Sequence, residues 1–405
     1  MQKHIRGNLI SIFLKITLFA FQNLTRCACA DRFSLCSFEK SNDKFEPIRT
    51  IFNAFNENCL KYYTPGPYIT VDERLIRFRG RCPFRVYLKN KPGRYGIKLW
   101  VAADVNTSYL LNVHPYTGKI DGVRETNQGE RVVTQLISSY YGTWRGVTVD
   151  NFFTSVQLAK KLFENNITLT GTTRSNKPDI PQTFLKSSQR ELHSSIFGFS
   201  DELTLVSCVP KKNYAVNILS TEHNDSSVEN EPRKRPSVII HYNKTKGGVD
   251  NADKMTLSYS CSRPTRRWPF KVFMDMVDMA ALNAYVIWTQ RYPEWRKNDR
   301  SIRQCFLRQL SIQLANKNVV SRKQQSTNLP THLKRGFDMF ETSEMTEASF
   351  LEKLEFDRLQ NRNRCFYCPR NKDKKTNVTC VCCRKHLCPK PPSDFSPVTK
   401  CLTYL

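Results

Sequence analysis

Three aspartates stand where predicted strands or helices begin or end among apolar residues. Asp104 and Asp150 each follow an apolar run, and Asp250 opens a predicted helix, one turn before Asp253. Carboxylates placed among apolar residues cost free energy unless a cation or hydrogen-bond donors compensate them. Two Mg²⁺ or Mn²⁺ ions held by carboxylates are a common device for phosphodiester hydrolysis and transfer. The four acids therefore predict a divalent-metal site at one rim of a sheet.

A simpler interpretation of two of these acids stays open. Asp is a preferred N-cap residue of helices, and both Asp150 and Asp250 precede or open predicted helices. Any single Asp in such a position is more often a cap than a metal ligand. The order and context of all four acids favour the metal site, although spacing alone does not decide between the two interpretations.

The elements that must position the acids alternate between strands and helices, which is typical of an α/β fold. Predicted helices cover 45–63, 131–141, 155–164, 250–290, 300–320 and 345–360, and predicted strands cover 68–80, two stretches of 96–113, 146–150 and 167–173. The domain prediction is an N-terminal segment 1–44, a lead-in 45–95, the first part of the core 96–173, a β-rich insertion with a flexible loop 174–240, the second part of the core 241–320, a linker 321–360 and a Cys-rich module 361–405.

The charge of the chain favours a polyanionic partner. The 405 residues carry a formal net charge of +27, and nucleic acid is the commonest partner of such proteins. Arg and Lys neutralise phosphates and Trp stacks on unpaired bases, whereas a solvated basic face is the alternative. The residues predicted to contact DNA are Arg79, Arg81, Arg85, Lys89, Lys91, Arg263, Arg266, Arg267 and Trp268.

Cysteines cluster at the C-terminal end of the chain. Of the 15 cysteines, seven lie between Cys365 and Cys401, and the paired spacing there is typical of zinc sites rather than of a disulfide framework. One zinc is expected and a second is left open. The predicted zinc ligands are Cys365, Cys368, Cys380 and Cys383, followed by His386, Cys388 and Cys401.

Compartment and membrane contact are predicted from the same composition. The scattered cysteines and the short basic patch Arg233-Lys234-Arg235 favour the nucleus. Residues 1–30 resemble a signal peptide, but Lys15 interrupts the apolar run, which favours an amphipathic or gene-model-derived segment. No later run reaches the roughly 18 apolar residues that a membrane span needs, so no membrane contact is expected.

Several long motifs in order carry a family likeness. They read TVDERLIRFRGRCPFRVYLKNKPGRYGIKLW, VTVDNFFTSVQLA, YNKTKGGVDNADKM and SCSRPTRRWPF, and they strongly resemble the piggyBac transposase family. The resemblance implies an RNase H-like catalytic core that binds two metal ions and is interrupted by a β-rich insertion. It assigns the catalytic acids to Asp104, Asp150 and Asp250, with Asp253 as the fourth. It also implies that the C-terminal zinc module binds the ends of the element.

The same resemblance implies what the chain acts on. Family members cut double-stranded DNA at element ends and insert at TTAA, so DNA cleavage and strand transfer are expected here, in a homodimer or with a longer transposase partner. The alternative is a DNA-binding protein derived from a transposase and catalytically idle or truncated. Compared with the family, only about 45 residues precede the first recognisable helix, so we expect this chain to be N-terminally shortened.

Overall fold

The structure is a computed structural model that describes residues 43–89, 91, 93–118, 125–185, 190–229, 234–325, 357–364 and 375–379. The chain divides into two compact units, residues 1–310 and 311–405. The acids and the basic stretches all belong to the first unit. The described strands of the second unit form one antiparallel hairpin, β10 (Asp357–Arg364) with β11 (Lys375–Thr379).

The first unit is built on a mixed sheet, for which the described residues supply nine strands. Their order across the sheet is β2-β3-β1-β5-β6-β9-β8-β7, and β4 pairs with β3 beside β2. The strands are β1 (Tyr68–Arg77), β2 (Val86–Tyr87), β3 (Tyr95–Asp104), β4 (Leu110–Pro115), β5 (Gly146–Val149), β6 (Thr168–Thr173), β7 (Ser195–Ser200), β8 (Leu203–Lys211) and β9 (Tyr214–Ser220).

The central strand β1 has different neighbours on its two sides. It pairs antiparallel with β3, with Ile69 opposite Asp104, and parallel with β5, with Val71 opposite Val149. Strand β6 continues parallel to β5. Strands β3 and β5 therefore run in opposite directions on either side of β1, and this decides which residues share a face and an end of the sheet.

Helices cover the sheet and carry apolar residues into the core. They are α1 (Glu46–Lys61), α2 (Gln128–Ile137, followed by a 3-10 turn, Ser138–Tyr140), α3 (Val156–Glu164), α4 (Gln182–Leu185), α5 (Ser237–Thr245), α6 (Gly248–Ser258), α7 (Trp268–Arg291) and α8 (Ile302–Gln325). Helix α1 buries five residues spaced three or four apart, namely Ile48, Ile51, Phe52, Phe55 and Cys59, as the apolar periodicity predicts. None of the helices in the described ranges is long and apolar enough to cross a membrane.

Two polar anchors connect the helices to the sheet. Asn283 of α7 is fully buried, accepts a hydrogen bond from the Leu110 amide (2.8 Å) and donates to the Leu110 carbonyl (2.9 Å). Thr70 of β1 donates to the Thr245 carbonyl at the end of α5. Since buried polar groups cost free energy when unpaired, these bonds specify how α5 and α7 dock onto the sheet.

Most predicted elements of the first unit are present, and two predictions need correction. The predicted β-rich insertion supplies β9, β8 and β7, which extend the main sheet beyond β6. The helical stretch 250–290 is broken over 259–267 into α6 and α7. Residues 357–360, predicted to end a helix, belong to strand β10; the remainder of that prediction, from 345 to 356, lies outside the described residues.

Candidate active site

Two carboxylates lie side by side on neighbouring parallel strands. Because Val71 pairs with Val149, the next residues, Asp72 on β1 and Asp150 after β5, lie on adjacent strands, about 5 Å apart at their Cα atoms. Side chains alternate along a strand, so Asp72 shares its face with Thr70 and Arg74. Asp72 was not among the predicted site residues, although it lies within the motif TVDERLIRFRG.

The environment of Asp72 is unfavourable to its negative charge. Burial raises the pKa of Asp72 to about 7, and the nearby charges of Asp150 and Asp250 act in the same direction. One amide, that of Glu73, donates to Asp72 Oδ1 at 2.7 Å, and the charge of Lys91 acts in the opposite direction. Burial also raises the pKa of Asp150. The pair therefore holds negative charge that the protein itself compensates incompletely.

Helix α6 brings the other two acids to the same side of the sheet. Asp250 is its third residue, with 70 % of its side chain exposed, and its Oδ1 lies 3.9 Å from Lys91 Nζ. Asp253, one turn further on, is paired with Arg74 of β1, whose Nε donates to Asp253 Oδ1 at 2.8 Å. Asp250 thus faces solvent beside the Asp72–Asp150 pair, while Asp253 is held by an arginine.

The structure places Asp104 apart from these acids, unlike the sequence prediction. Its carboxylate accepts hydrogen bonds from the Gly66 amide (2.9 Å), the Thr107 amide (2.9 Å) and the Thr107 hydroxyl (2.7 Å), with the Tyr63 hydroxyl at 3.3 Å. Asp104 pairs with Ile69, so it faces the side of the sheet opposite to Asp72. Its carboxylate stabilises the β3–β4 turn and the chain that enters β1.

The helix-cap interpretation does not describe the other acids. The N-cap of α3 is Ser155, whose hydroxyl accepts from the Leu158 amide, and the N-cap of α6 is Gly247. Asp150 Oδ1 accepts one hydrogen bond from the Phe152 amide, at 2.8 Å, within the loop that precedes α3. Neither Asp150 nor Asp250 is therefore a cap residue, and both keep carboxylate oxygens for another partner.

The donor set suits a hard divalent cation, although the acids do not enclose one. In the described part of the chain, no group of three or more His, Cys, Asp or Glu side chains is close enough together to hold a metal ion. Asp72 and Asp150 supply carboxylate oxygens, which Mg²⁺ and Mn²⁺ prefer. Burial and the neighbouring acids raise the pKa of Asp72, and a cation bound beside the pair would offset both effects. The three acids Asp72, Asp150 and Asp250 are called the acid site below.

Similarity to known proteins identifies the family of this chain. The model of the family described as Transposase IS4 matches residues 11–285, more than half of the sequence. The chain belongs to this family. The resemblance to the piggyBac type is confirmed by two further comparisons, one with curated proteins and one with solved structures.

The relatives of this transposase-family chain are proteins of the piggyBac type. It is 26 % identical over 262 residues to the human PiggyBac transposable element-derived protein 3, which covers 60 % of the chain and 44 % of that relative. The human Chimeric ERCC6-PGBD3 protein matches to the same extent, over 24 % of its length. A piggyBac transposase synaptic complex with hairpin DNA, solved by cryo-EM, is 35 % identical with a TM-score of 0.68 and covers 86 % of this chain and 72 % of that one. The chain therefore spans less than half the length of these curated relatives.

The structure brings the two predicted basic stretches of this family member together. A Cβ atom placed on Gly80 would lie 3.0 Å from the Arg266 carbonyl oxygen, so the loop after β1 touches the segment before α7. The exposed side chains are those of Arg79, Arg81, Arg85, Lys89, Arg263, Arg266 and Arg267, which we call the basic surface. Lys91 stands apart from it, because its Nζ reaches the Glu73 carbonyl (3.2 Å) and Asp250 at the acid site.

Trp268 differs from its predicted role. Its ring packs against those of Phe84 (4.9 Å between centroids) and Phe45 (5.7 Å), so it belongs to a hydrophobic cluster rather than standing free for a base. Tyr87 and Tyr95 are exposed instead, 51 % and 42 %, and their rings are 4.9 Å apart. The two tyrosines are opposite each other in the pairing of β2 with β3, at the end of the sheet where β3 begins.

The predicted zinc ligands all lie outside the described residues, and so does Arg233 of the basic patch. Of the other two patch residues, Arg235 pairs with Glu229, Nη2 to Oε2, at 3.1 Å. The zinc module and the nuclear patch stay predictions.

Replacing Asp104 by Asn is expected to destabilise the fold. The amide group presents donors to the amides of Gly66 and Thr107, so at least one buried hydrogen bond is lost, at a cost of about 1.5–3 kcal/mol. The melting temperature should fall by a few degrees. Differential scanning calorimetry measures it, with Asp201→Asn on the exposed β7–β8 turn as the control. An unchanged melting temperature would contradict the structural role of Asp104.

Replacing Asp72 by Asn is expected to stabilise the metal-free protein. Since the folded-state pKa of Asp72 is raised from 3.8 to about 7, the native state loses stability relative to the unfolded state as pH rises between those values. The variant escapes this loss. Its melting temperature in EDTA should exceed that of the unsubstituted chain at pH 7.5, and the difference should shrink toward pH 4. A lower melting temperature at pH 7.5 would show that the charge of Asp72 is already compensated.

Proposed function

We propose that the chain carries a metal-dependent site for the cleavage and transfer of DNA strands, and that its acids are Asp72, Asp150 and Asp250. One observation carries the proposal. Two carboxylates lie on adjacent parallel strands, with a third acid on the helix above them, and burial together with the charges of the other two acids raises the pKa of Asp72. Asp104, the first acid of our sequence prediction, is replaced by Asp72.

The arrangement suits phosphodiester chemistry. Divalent ions held by these carboxylates would activate an attacking oxygen and stabilise the leaving one. Asp72 is fixed within a strand and Asp150 in a short loop tied by the Phe152 amide, so both oxygen donors are positioned before any ion arrives. Asp250 is the exposed member of the set and has the freedom to approach a ligand. Lys91, beside Asp250, is placed to contact a phosphate.

The strand order supports the RNase H-like core that the resemblance implies. Strands β4, β3 and β1 are antiparallel neighbours, and β5 and β6 follow in parallel beyond β1. This places Asp72 in the middle of the five-strand set, next to the strand that ends at Asp150. The β-rich insertion between the second and third acids corresponds to β7–β9.

DNA is the proposed substrate and the basic surface its docking site. The surface is formed by the β1–β3 connection and the segment before α7, and Lys91 of that same connection reaches the acid site. A duplex bound there by its phosphates would be guided toward the acids. The similar synaptic complex contains hairpin DNA, which supports the same substrate class for this chain.

Further parts of the proposal rest on the family resemblance. They are target choice at TTAA, action as a homodimer or with a longer transposase, a zinc module at residues 361–405 that binds element ends, and location in the nucleus. A DNA-binding protein without catalysis is the second candidate function. It is favoured by the similarity to the human PiggyBac transposable element-derived protein 3, which is named as derived from a transposable element.

Strand cleavage separates the two candidate functions. The unsubstituted chain is expected to nick supercoiled plasmid DNA that contains TTAA in the presence of Mn²⁺, because the carboxylates hold the ions that the reaction needs. Asp72→Asn and Asp150→Asn should reduce nicking to the level seen in EDTA while DNA binding persists. Asp201→Asn serves as the matched control and should nick normally. Binding without any nicking by the unsubstituted chain would favour the non-catalytic function.

Salt dependence tests the basic surface. The double variant Arg79→Gln/Arg266→Gln removes two phosphate contacts, so the slope of log K against log salt concentration should become shallower by about 2. Fluorescence anisotropy with a labelled duplex measures the slope. Lys211→Gln/Lys212→Gln, on the exposed β8–β9 turn, removes the same charge elsewhere and should change it little. Equal changes for both variants would mean that binding follows net charge and not this surface.

Metal analysis tests the zinc module. After dialysis under reducing conditions, the full chain should retain at least one zinc per molecule, because thiolate ligands at this spacing bind zinc tightly. Cys365→Ser/Cys368→Ser should remove it. Inductively coupled plasma mass spectrometry gives the stoichiometry, and a zinc-free unsubstituted chain would refute the module.

A further inference from the structure

Arg74 is buried directly behind the acid site. It lies two residues after Asp72 on β1, on the same face, and only 2 % of its side chain is exposed. A buried guanidinium is tolerated when its donors are paired. Its Nε donates to Asp253 Oδ1 (2.8 Å), and its Nη2 donates to Asp275 Oδ1 (2.9 Å) and Thr256 Oγ1 (2.9 Å). Arg74 thereby ties β1 to both α6 and α7.

Two contacts fix the course of α6 along β1. At its start, a Cβ on Gly248 would lie 2.9 Å from Thr70 Oγ1, so only glycine permits this approach of helix to strand. Toward its end, Asp253 and Thr256 meet Arg74. From Thr70 to Arg74 the strand advances four residues, about 13 Å, and from Gly248 to Thr256 the helix advances eight residues, about 12 Å.

The matching lengths carry α6 past Asp72. Asp72 is midway between Thr70 and Arg74, and Asp250 lies between Gly248 and Asp253 on the helix. Lys91 Nζ lies 3.9 Å from Asp250 Oδ1 and 3.2 Å from the Glu73 carbonyl oxygen. Since Glu73 directly follows Asp72, Asp250 stands near Asp72. The exposed Asp250 has its described ion pair only with Lys91, at 3.9 Å, so its position depends on how α6 is held.

We propose that Arg74 is a positioning residue of the acid site: by holding Asp253 and Thr256, it fixes α6 so that Asp250 stands near Asp72. The inference rests on the proposed function, because it assumes that the acid site binds divalent ions. It gives Asp253 a role through Arg74, in addition to any direct contact with an ion. It also explains why a buried arginine, instead of a smaller polar residue, stands in the strand directly before the apolar residues Leu75 and Ile76.

Mn²⁺ binding by the full chain, followed from the electron paramagnetic resonance signal of free Mn²⁺, tests the proposal. Arg74→Gln should weaken binding by about 10-fold or more, the size of effect seen when residues that orient metal ligands are lost. Asp253→Asn should weaken Mn²⁺ binding too. The double variant should bind Mn²⁺ no more weakly than whichever single variant has the lower affinity, since both substitutions act through one contact. Multiplied effects in the double variant would overturn the proposal in favour of independent roles.

A second measurement separates positioning from a general loss of stability. In the metal-free protein, hydrogen exchange over residues 248–258 should be faster in Arg74→Gln than in the unsubstituted chain. Asn283→Ala, which removes a buried hydrogen-bonding side chain elsewhere, should lower the melting temperature and leave Mn²⁺ affinity unchanged. If Arg74→Gln does not fold, Arg74→Lys keeps the charge among Asp253 and Asp275 and should show the same changes in milder form.

The outcomes distinguish this inference from the function on which it rests. If the unsubstituted chain binds Mn²⁺ and folded Arg74→Gln binds it equally well, the role of Arg74 is refuted and the acid site stands. If the unsubstituted chain itself does not bind Mn²⁺, the proposed function fails and the inference fails with it.

Discussion

The pairing of β1 with its two neighbours is the constraint on which the site depends. Because β1 is antiparallel to β3 and parallel to β5, Asp72 comes to lie beside Asp150, whereas Asp104 is opposite Ile69. Shifting either register by one residue would turn Asp72 to the other face, since side chains alternate along a strand. The acid site, the docking of α5 and α6 and the burial of Arg74 all follow from this one arrangement.

Hydrogen bonds and ion pairs beneath the acids make that arrangement specific. Thr70 and Arg74, the residues two before and two after Asp72, hold the helices that cover it. Both are polar residues in a strand whose other face carries the fully buried Ile69 and Val71. Around Asp72, the strand therefore presents hydrophobic side chains to one layer and the polar side chains of residues 70, 72 and 74 to the other.

Sequence patterns predicted much of this fold and misplaced one acid. Helix α1, strands β1, β5 and β6 and helix α3 follow from apolar periodicity, because each buries one regular face. Asp104 was misplaced because two strands that each end in Asp share a rim only when they run in the same direction. Here β3 and β5 run in opposite directions. Asp104 is separated from Asp150 by three residues along the strand and by two strand spacings across the sheet, roughly 10 Å in each direction. Strand direction is a property of the whole sheet, which local periodicity does not contain. A carboxylate in the middle of a predicted strand was the stronger signal, and it pointed to Asp72.

One segment of the chain connects the basic surface with the acid site. The connection from β1 to β3 carries Arg79, Arg81 and Arg85 outward and returns Lys91 to Asp250. A polyanion bound by the arginines is thus led toward carboxylates that repel it unless cations lie between them. This juxtaposition of opposite charges is the electrostatic pattern expected where DNA is bound by its phosphates and reacts at bound metal ions.

Anomalous scattering from Mn²⁺ in crystals of the chain tests the central claim most directly. At least one manganese peak is expected within coordination distance, about 2.2 Å, of carboxylate oxygens of both Asp72 and Asp150, with Asp104 still hydrogen-bonded to Gly66 and Thr107. A manganese ion held by Asp104, or none near Asp72 at saturating Mn²⁺, would contradict this claim.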